Sequence, residues 1–570
     1  MGATTFCSGT LLLMKTQGEP GHKPVKHVTQ TRPNVTVRAR LSARFAQRDR
    51  SGAPTPPPTA VLQTVHMPLN PPIDGETPDE LKRWLQLCFK SYAAKFHYRW
   101  HIITAPTYDF SEKPLDNAAS VIMIGSYFLD YIRWKNIVID IHHCLVDSYF
   151  QLLTKPLKQN KLPDNARRLE TYQAILMNIV FGMYLGDEEA VTRANKLCGL
   201  LITVLQSSDF FCETFSREIQ EDDFPGTYVP WVEMVQDEWK RLIINLFKVD
   251  TQLSIICQQR PRLLDDELDA TLPSTFALRN CYRIDIFLRR NQRERDTQNR
   301  SHIKLLWMMR NSHMFLPGSL LIEDTNIGLC SLFFEIFSQS RRRRIFSDIF
   351  NDELEETMRD GVLRRLSQWA KHLQAAANQL AADNIDHEIG TTDHFMEPYL
   401  GEEEETDQMS SWRLLTRIRL RDESAEIKKW ASSSEGRHGI IHSLAVLQTV
   451  DVMVRNSRQL DPIVYTAIAY SALIFAGLLN YIDTVCHCSE GEASIHLDAA
   501  AWEFDEDHIS RSWVEHGGRA SAKGIALCKC SSKAWIERFA TYLPKTPAWE
   551  MAGIIAPMLQ PLMHIADDSQ

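Results

Sequence analysis

Apolar residues recur three and four apart along almost the whole of this chain, and no sustained alternation of period two interrupts them. Thr77-Pro78-Asp79-Glu80 supplies a cap residue, a first-turn proline and first-turn acids, and Leu81, Trp84, Leu85, Cys88 and Phe89 follow at helical spacing. The same period predicts helices over residues 121–128, 137–153, 169–184 and 190–205, with Gly186-Asp187 as a turn between the last two. Pro230 opens a longer helix that sets Trp231, Val235, Leu242, Leu246 and Val249 on one face. Helical periods resume at 440–454, 462–482, 535–542 and 549–563. The pattern predicts an all-α fold: a large multi-helix body behind a disordered basic N-terminal arm. No fixed-period solenoid repeat is present.

Four stretches follow from composition. Residues 1–78 form the arm, rich in proline and without a helical or strand period. Lys15, Lys23, Lys26, Arg32, Arg38, Arg40, Arg44, Arg48 and Arg50 there face only Glu19 and Asp49 within the first fifty residues. Such an arm suits contact with nucleic acid or a transport receptor, or is a solvated leader. Residues 79–384 form the main helical domain and 385–435 an acidic connecting segment around Glu402, Glu403, Glu404 and Glu405. Residues 436–570 form a C-terminal helical part packing on the main domain. A net charge of -9 on 570 residues does not mark a protein that coats nucleic acid.

The cysteines are scattered, mostly among apolar neighbours, which points to a reducing compartment rather than a disulfide scaffold. Residues 463–482 carry no charge and are long enough to span a bilayer. Asp461-Pro462 caps them and tyrosine, serine and asparagine interrupt them, so a central core helix is the expectation and no membrane partner is predicted.

A tetrahedral zinc module needs closely spaced Cys or Cys and His pairs. The first eighty residues hold only Cys7, so neither a two-Cys-two-His finger nor a six-Cys cluster can form there. Cys486, Cys488, Cys528 and Cys530 make two Cys-x-Cys pairs that either share a metal or are ordinary buried and peripheral thiols. Asp265, Asp266 and Asp269 fit the D-D-x-x-D pattern with which all-α terpene cyclases and prenyltransferases hold magnesium on a diphosphate. The bland alternative is a solvated short helix between Pro261 and Pro273, and the second acidic motif that should accompany the pattern has Arg359 where a carboxylate belongs. The covalent-hydrolase and nucleotide-loop motifs are missing, and His387-Glu388 lacks a closing histidine because Thr391 stands in its place. His142 and His143 read as a surface or core pair. No residue is assigned a catalytic, cofactor-binding or metal role, and no cofactor is predicted.

Two basic features remain. Arg341, Arg342, Arg343 and Arg344 read as an import patch or a solvated turn. Residues 283–300 mix arginines with Asp285, Glu294 and Asp296, the pattern of an exposed salt-laced helix.

The body of the chain resembles the fungal-specific transcription factor domain, or middle homology region. The likeness runs from Phe96-His97 through Ile102-Ile103 and Pro106-Thr107-Tyr108, past Pro114-Leu115, into a helix around Gly125. Its most specific block spans 231–273, with Trp231, Glu238, Lys240, Arg241, Phe247, Asp250, Pro261, Glu267, Leu268, Leu272 and Pro273 in the family's order; Met234 stands where a second tryptophan is frequent. Looser pieces continue through Ala476-Gly477-Leu478-Leu479, Gly517-Gly518 and Trp549. The resemblance gives the acidic cluster at Asp265 and Asp269 a structural role without metal. Within the block, Glu238 and Arg241 stand three apart, within ion-pair reach, and loss of Arg241 is expected to destabilise the domain.

The resemblance implies a nuclear transcriptional regulator, not an enzyme, acting in RNA polymerase II transcription through its helical body. Its partners would be other transcription factors or co-regulators, with dimerisation possible. Direct DNA contact would require a zinc module upstream, because the family's usual module is missing from the N-terminal residues. The alternative reading is a magnesium-dependent all-α cyclase or prenyltransferase using Asp265, Asp266 and Asp269.

Overall fold

The computed structural model describes most of residues 78–345, parts of 361–372, then 430–455, 462–481, 495–497, 508–542 and residue 559. The basic arm, the acidic segment around Glu402, Cys486, Cys488 and nearly all of 549–563 lie outside the described residues. Within them the fold is helical, as the apolar spacing predicts.

Helix α1 (Pro78–Tyr92) begins at the first-turn proline and ends in a π turn, Ala93–His97. Helix α2 (Leu115–Tyr127) packs against it. Gly125 makes that approach possible: a Cβ there would lie 2.0 Å from the Cys88 carbonyl oxygen on α1. The glycine of the predicted helix is thus a contact point between two backbones.

Helix α3 (Ile132–Gln159) is followed by α4 (Leu169–Leu185) and α5 (Glu188–Gln206). Every residue of α4 except Glu170 is buried. Asp187 caps α5, its carboxylate accepting from the Ala190 amide at 2.8 Å, as its place after the turn glycine suggests. Buried polar groups between α2, α3 and α4 satisfy one another. His142 Nδ1 meets Asn178 Oδ1 at 3.1 Å, and Asn178 Nδ2 donates to Ser120 Oγ at 2.8 Å. His142 is therefore a core histidine, and burial pushes its pKa down to about 3.

Helices α6 (Glu213–Asp223) and α7 (Val229–Ile256) follow, and α7 packs against α4, α5 and α6. Trp239 on α7 is fully buried and donates to the Phe210 carbonyl at 2.9 Å. Trp231, expected on the buried face with Leu242 and Leu246, is instead 43% exposed. Short elements come next: α8 (Phe276–Arg279), α9 (Ile284–Thr297) and α10 (Leu305–Arg310). They lead to the long α11 (Ile322–Ile345). Gly328 on α11 receives the buried indole of Trp369, whose Cζ2 would stand 2.1 Å from a Cβ at that position.

Arg341, Arg342, Arg343 and Arg344 belong to the last turns of α11, so the predicted turn is a helix. Residues 284–297 form the helix the mixed charges predict, with exposed Arg289 and Asp285 paired along it, but Arg300 lies beyond its end and is buried.

The C-terminal helices α12 (Ser434–Arg455), α13 (Pro462–Tyr481), α14 (His508–His516) and α15 (Ser532–Tyr542) pack on one another. Helix α13 is largely buried, but Leu473 is 44% exposed, so α4 comes closer than α13 to the fully enclosed helix expected at 463–482. No helix among the described residues is long and apolar enough to cross a membrane. A small sheet escapes the periodicity: β1 (Ile495–His496) pairs parallel with β2 (Ala520–Ala522), which pairs antiparallel with β3 (Ile525–Ala526). Lys523 and Gly524, both at positive φ, make the two-residue turn of that hairpin.

Candidate functional site

The most chemically dense region centres on α7, where Met234, Asp237, Glu238 and Arg241 project at intervals of three and four. Arg241 Nε donates to Asp237 Oδ2 at 2.8 Å, with both side chains nearly excluded from solvent. The other Asp237 oxygen accepts from the Ser274 amide at 2.6 Å, and Arg241 Nη2 donates to the Ser274 carbonyl. Asp237 and Arg241 thus clasp Ser274, in the segment of chain leaving Pro273, against α7.

The partner expected for Arg241 was Glu238, three residues earlier. That expectation fails because Arg279 takes Glu238 instead, donating from Nη2 to Oε1 at 2.6 Å. Arg279 also donates to the Met234 carbonyl at 3.1 Å and to Thr104 Oγ1, and Thr104 in turn donates to Glu238 Oε1. A fourth-residue partner was equally available to Arg241 on the same face, and Asp237 fills it.

The network extends to α11. Glu323 lies 3.7 Å from Arg241 Nη1, 3.6 Å from His101 Nδ1 and 3.9 Å from Arg300 Nη2. Burial pushes the Glu323 carboxyl up, but Arg241, His101 and Arg300 outweigh it and hold the group at about 2. Burial lowers the His101 pKa, against the opposing pull of Glu323. Burial likewise disfavours the Asp237 anion, and Arg241 with Arg279 reverses that, leaving its pKa below the ordinary value. Arg300 is held by Asp324 on its guanidinium edge and donates from Nε to the Pro273 carbonyl at 2.9 Å.

Asp250, lower on α7, plays a similar part. Its buried carboxylate accepts from the Arg262 and Leu263 amides and from Arg262 Nη1, pinning the turn after Pro261 to the helix. Of the residues named for the 231–273 block, Arg241, Glu238 and Asp250 are thus anchors, while Thr104, Arg279, Arg300, Glu323 and Asp324 carry parts that spacing along one helix could not reveal.

The acidic cluster that follows is a single 3-10 turn, Asp265–Glu267. Arg310 lies 3.5 Å from Asp265 and 3.9 Å from Asp266, and Ser331 Oγ donates to Asp265 at 3.3 Å. Asp269 binds Lys304 at 2.8 Å, and Lys304 also bridges to Glu213 at 2.7 Å. Asp265 and Asp266 face Arg310 and Asp269 faces Lys304, so the three carboxylates are not gathered around one position, as a magnesium-diphosphate site would need. Among the described residues no group of three or more His, Cys, Asp or Glu could hold a metal ion. Cys528 is half-buried beside Ser531 Oγ and Cys530 is exposed; the other two cysteines of the proposed quartet lie outside the described residues.

A cavity of about 120 Å³ opens beside the α7 network. Glu238, Thr104, Gln173 and Lys113 give it polar walls, and Trp231 and Tyr108 give it aromatic ones. Lys113 reaches Glu170 at 3.3 Å, and the Tyr108 hydroxyl donates to Asn117 Oδ1 at 2.8 Å. Sequence reading did not find this cavity, because its walls come from the 103–113 segment, α4 and α7.

Residues 89–371 match the fungal specific transcription factor domain family. A stretch of 194 residues is 24% identical to zinc finger protein zas1 of Schizosaccharomyces pombe, covering 33% of this chain and 20% of that relative. The aligned region therefore spans about a fifth of the relative's length. No solved structure matches the chain. The family match encloses α2 to α11, the buried network centred on Arg241 and the 231–273 block: residues 89–371 of this chain belong to the fungal specific transcription factor domain family.

Proposed function

We propose that this chain is a nuclear regulator of RNA polymerase II transcription that acts through its helical body. The observation that carries the reading is the family match over 89–371. The buried network makes that body a firmly specified scaffold rather than a loose collection of helices: α7, α8 and α11 are tied together by paired, hydrogen-bonded charges. Such a scaffold presents surfaces to other transcription factors or co-regulators, or to a second copy of itself. In this reading DNA is reached through a partner, or through a zinc module encoded with this domain, because the first eighty residues contain only Cys7. The reading assigns the chain no reaction and no cofactor.

A fusion of the chain to a heterologous DNA-binding domain tests this, with a reporter carrying the cognate site. Several-fold activation or repression, together with nuclear fluorescence of a tagged chain, is the expected result. A stably expressed fusion that leaves the reporter unchanged, or a tagged chain that stays outside the nucleus, overturns the reading. Replacing Arg341, Arg342, Arg343 and Arg344 with glutamine asks whether that stretch of α11 supplies the import signal.

A further inference from the structure

We propose that the cavity between α7 and the 103–113 segment binds a small zwitterion of amino-acid size, its ammonium on Glu238 and its carboxylate on Lys113. The hydrogen-bond inventory of the walls leads to this. Glu238 Oε1 is fully used by Arg279 and Thr104, but Oε2 receives only Gln173 Nε2, at the 3.5 Å limit of a hydrogen bond. An ionised carboxylate oxygen accepts more than one strong donor, so Glu238, which lines the cavity, keeps an underused acceptor. Lys113 has three donors and spends one, on Glu170 at 3.3 Å. Lys113 and Glu238 line the same cavity, and each forms its ion pair elsewhere. One space therefore offers a carboxylate oxygen with acceptor capacity left and an ammonium with donors left.

That arrangement discriminates between ligand classes. A simple amine meets Glu238 but also the Lys113 charge, and a simple carboxylate meets the reverse conflict. A zwitterion satisfies both. The aromatic wall agrees: Trp231 lies 43% exposed at the cavity, where an indole face favours an ammonium group. Met234 and Ile103 supply apolar lining for a side chain. Size sets the upper bound. A volume of about 120 Å³ is well short of the roughly 300–1,000 Å³ of drug-sized sites, yet several times the roughly 10–15 Å³ that a single water needs.

The inference goes beyond the transcriptional reading and does not need it, because binding is measured on the purified full chain without promoter or partner. Calorimetry and thermal shift with each standard L-amino acid, n-butylamine and butyrate make the test. At least one amino acid is expected to bind saturably, with butylamine and butyrate weaker by about tenfold or more. Lys113→Met, which leaves the Arg279–Glu238 pair intact, is expected to weaken binding by a similar factor. Met234→Trp, which fills the cavity, is expected to abolish it. Saturable binding by no amino acid, equal binding of butylamine or butyrate, or binding that both folded variants leave unchanged overturns the proposal. A failed reporter assay with intact binding would overturn only the transcriptional reading.

Discussion

Arg300 grips Asp324 edge-on: Nη1 donates to Oδ2 at 2.6 Å and Nη2 to Oδ1 at 2.8 Å, with both side chains almost wholly excluded from water. The same carboxylate accepts from the Leu321 amide at 2.8 Å and so caps α11. Breaking one partner of such a pair strands a buried charge. Arg300→Ala is expected to destabilise the domain by about 3–5 kcal/mol. The double variant Arg300→Met with Asp324→Leu is expected to recover most of that loss, short of about 1 kcal/mol for the missing cap. A double-mutant cycle read by urea denaturation checks both.

Arg241 serves Asp237, Glu323 and the Ser274 carbonyl while only 4% exposed. Arg241→Ala is therefore expected to cost about 3–5 kcal/mol, as a buried pair does, rather than the fraction of that an exposed pair contributes. A drop in the denaturation midpoint no larger than that of a surface control such as Arg289→Ala would refute the claim that the guanidinium is a hub.

Acid should loosen the fold before the carboxylates titrate. His142 is neutral in the core, with its pKa lowered from 6.5 to about 3, so the unfolded chain binds a proton that the folded one refuses. Stability is full above about 6.5 and falls as pH drops from there toward about 3, by up to about 1.4 kcal/mol per unit. Buried His101 acts in the same direction. Glu323, held at about 2, adds its own loss only below the ordinary carboxyl range. Thermal midpoints of wild type and His142→Gln, followed from about pH 6.5 to about pH 5, should show a shallower slope in the variant.

Gly125→Ala tests the contact between α1 and α2. A methyl placed 2.0 Å from the Cys88 carbonyl oxygen has rigid backbone on both sides, so the helices must separate. The expected cost is at least the 1–3 kcal/mol typical of overpacking, about 3 kcal/mol. Gly477→Ala, where no atom lies within 4 Å of the added Cβ, is the matched control and should be nearly neutral or slightly stabilising.

Much of this architecture can be read along the chain, because caps and apolar spacing are local. Pro78 and Asp187 sit at helix starts for reasons contained in a few neighbouring residues. The network is another matter. Glu238 and Arg279 are separated by 41 residues and Glu238 and Thr104 by 134, so nothing local selects Asp237 over Glu238 as the partner of Arg241. Periodicity placed Trp231 on the buried face of α7, and the packed part of the helix begins after it. Strands of two and three residues are too short to show an alternation. The family resemblance marked the right block while leaving its chemistry to be found in three dimensions.

The seating of Trp369 against Gly328 sets a practical border for anyone expressing this domain alone. The indole occupies a notch in the α11 backbone that only a glycine can offer, and it lies two residues before the family match ends. A fragment stopped short of Trp369 would leave that notch open, and with it an apolar face suited to aggregation. A soluble fragment should extend past it.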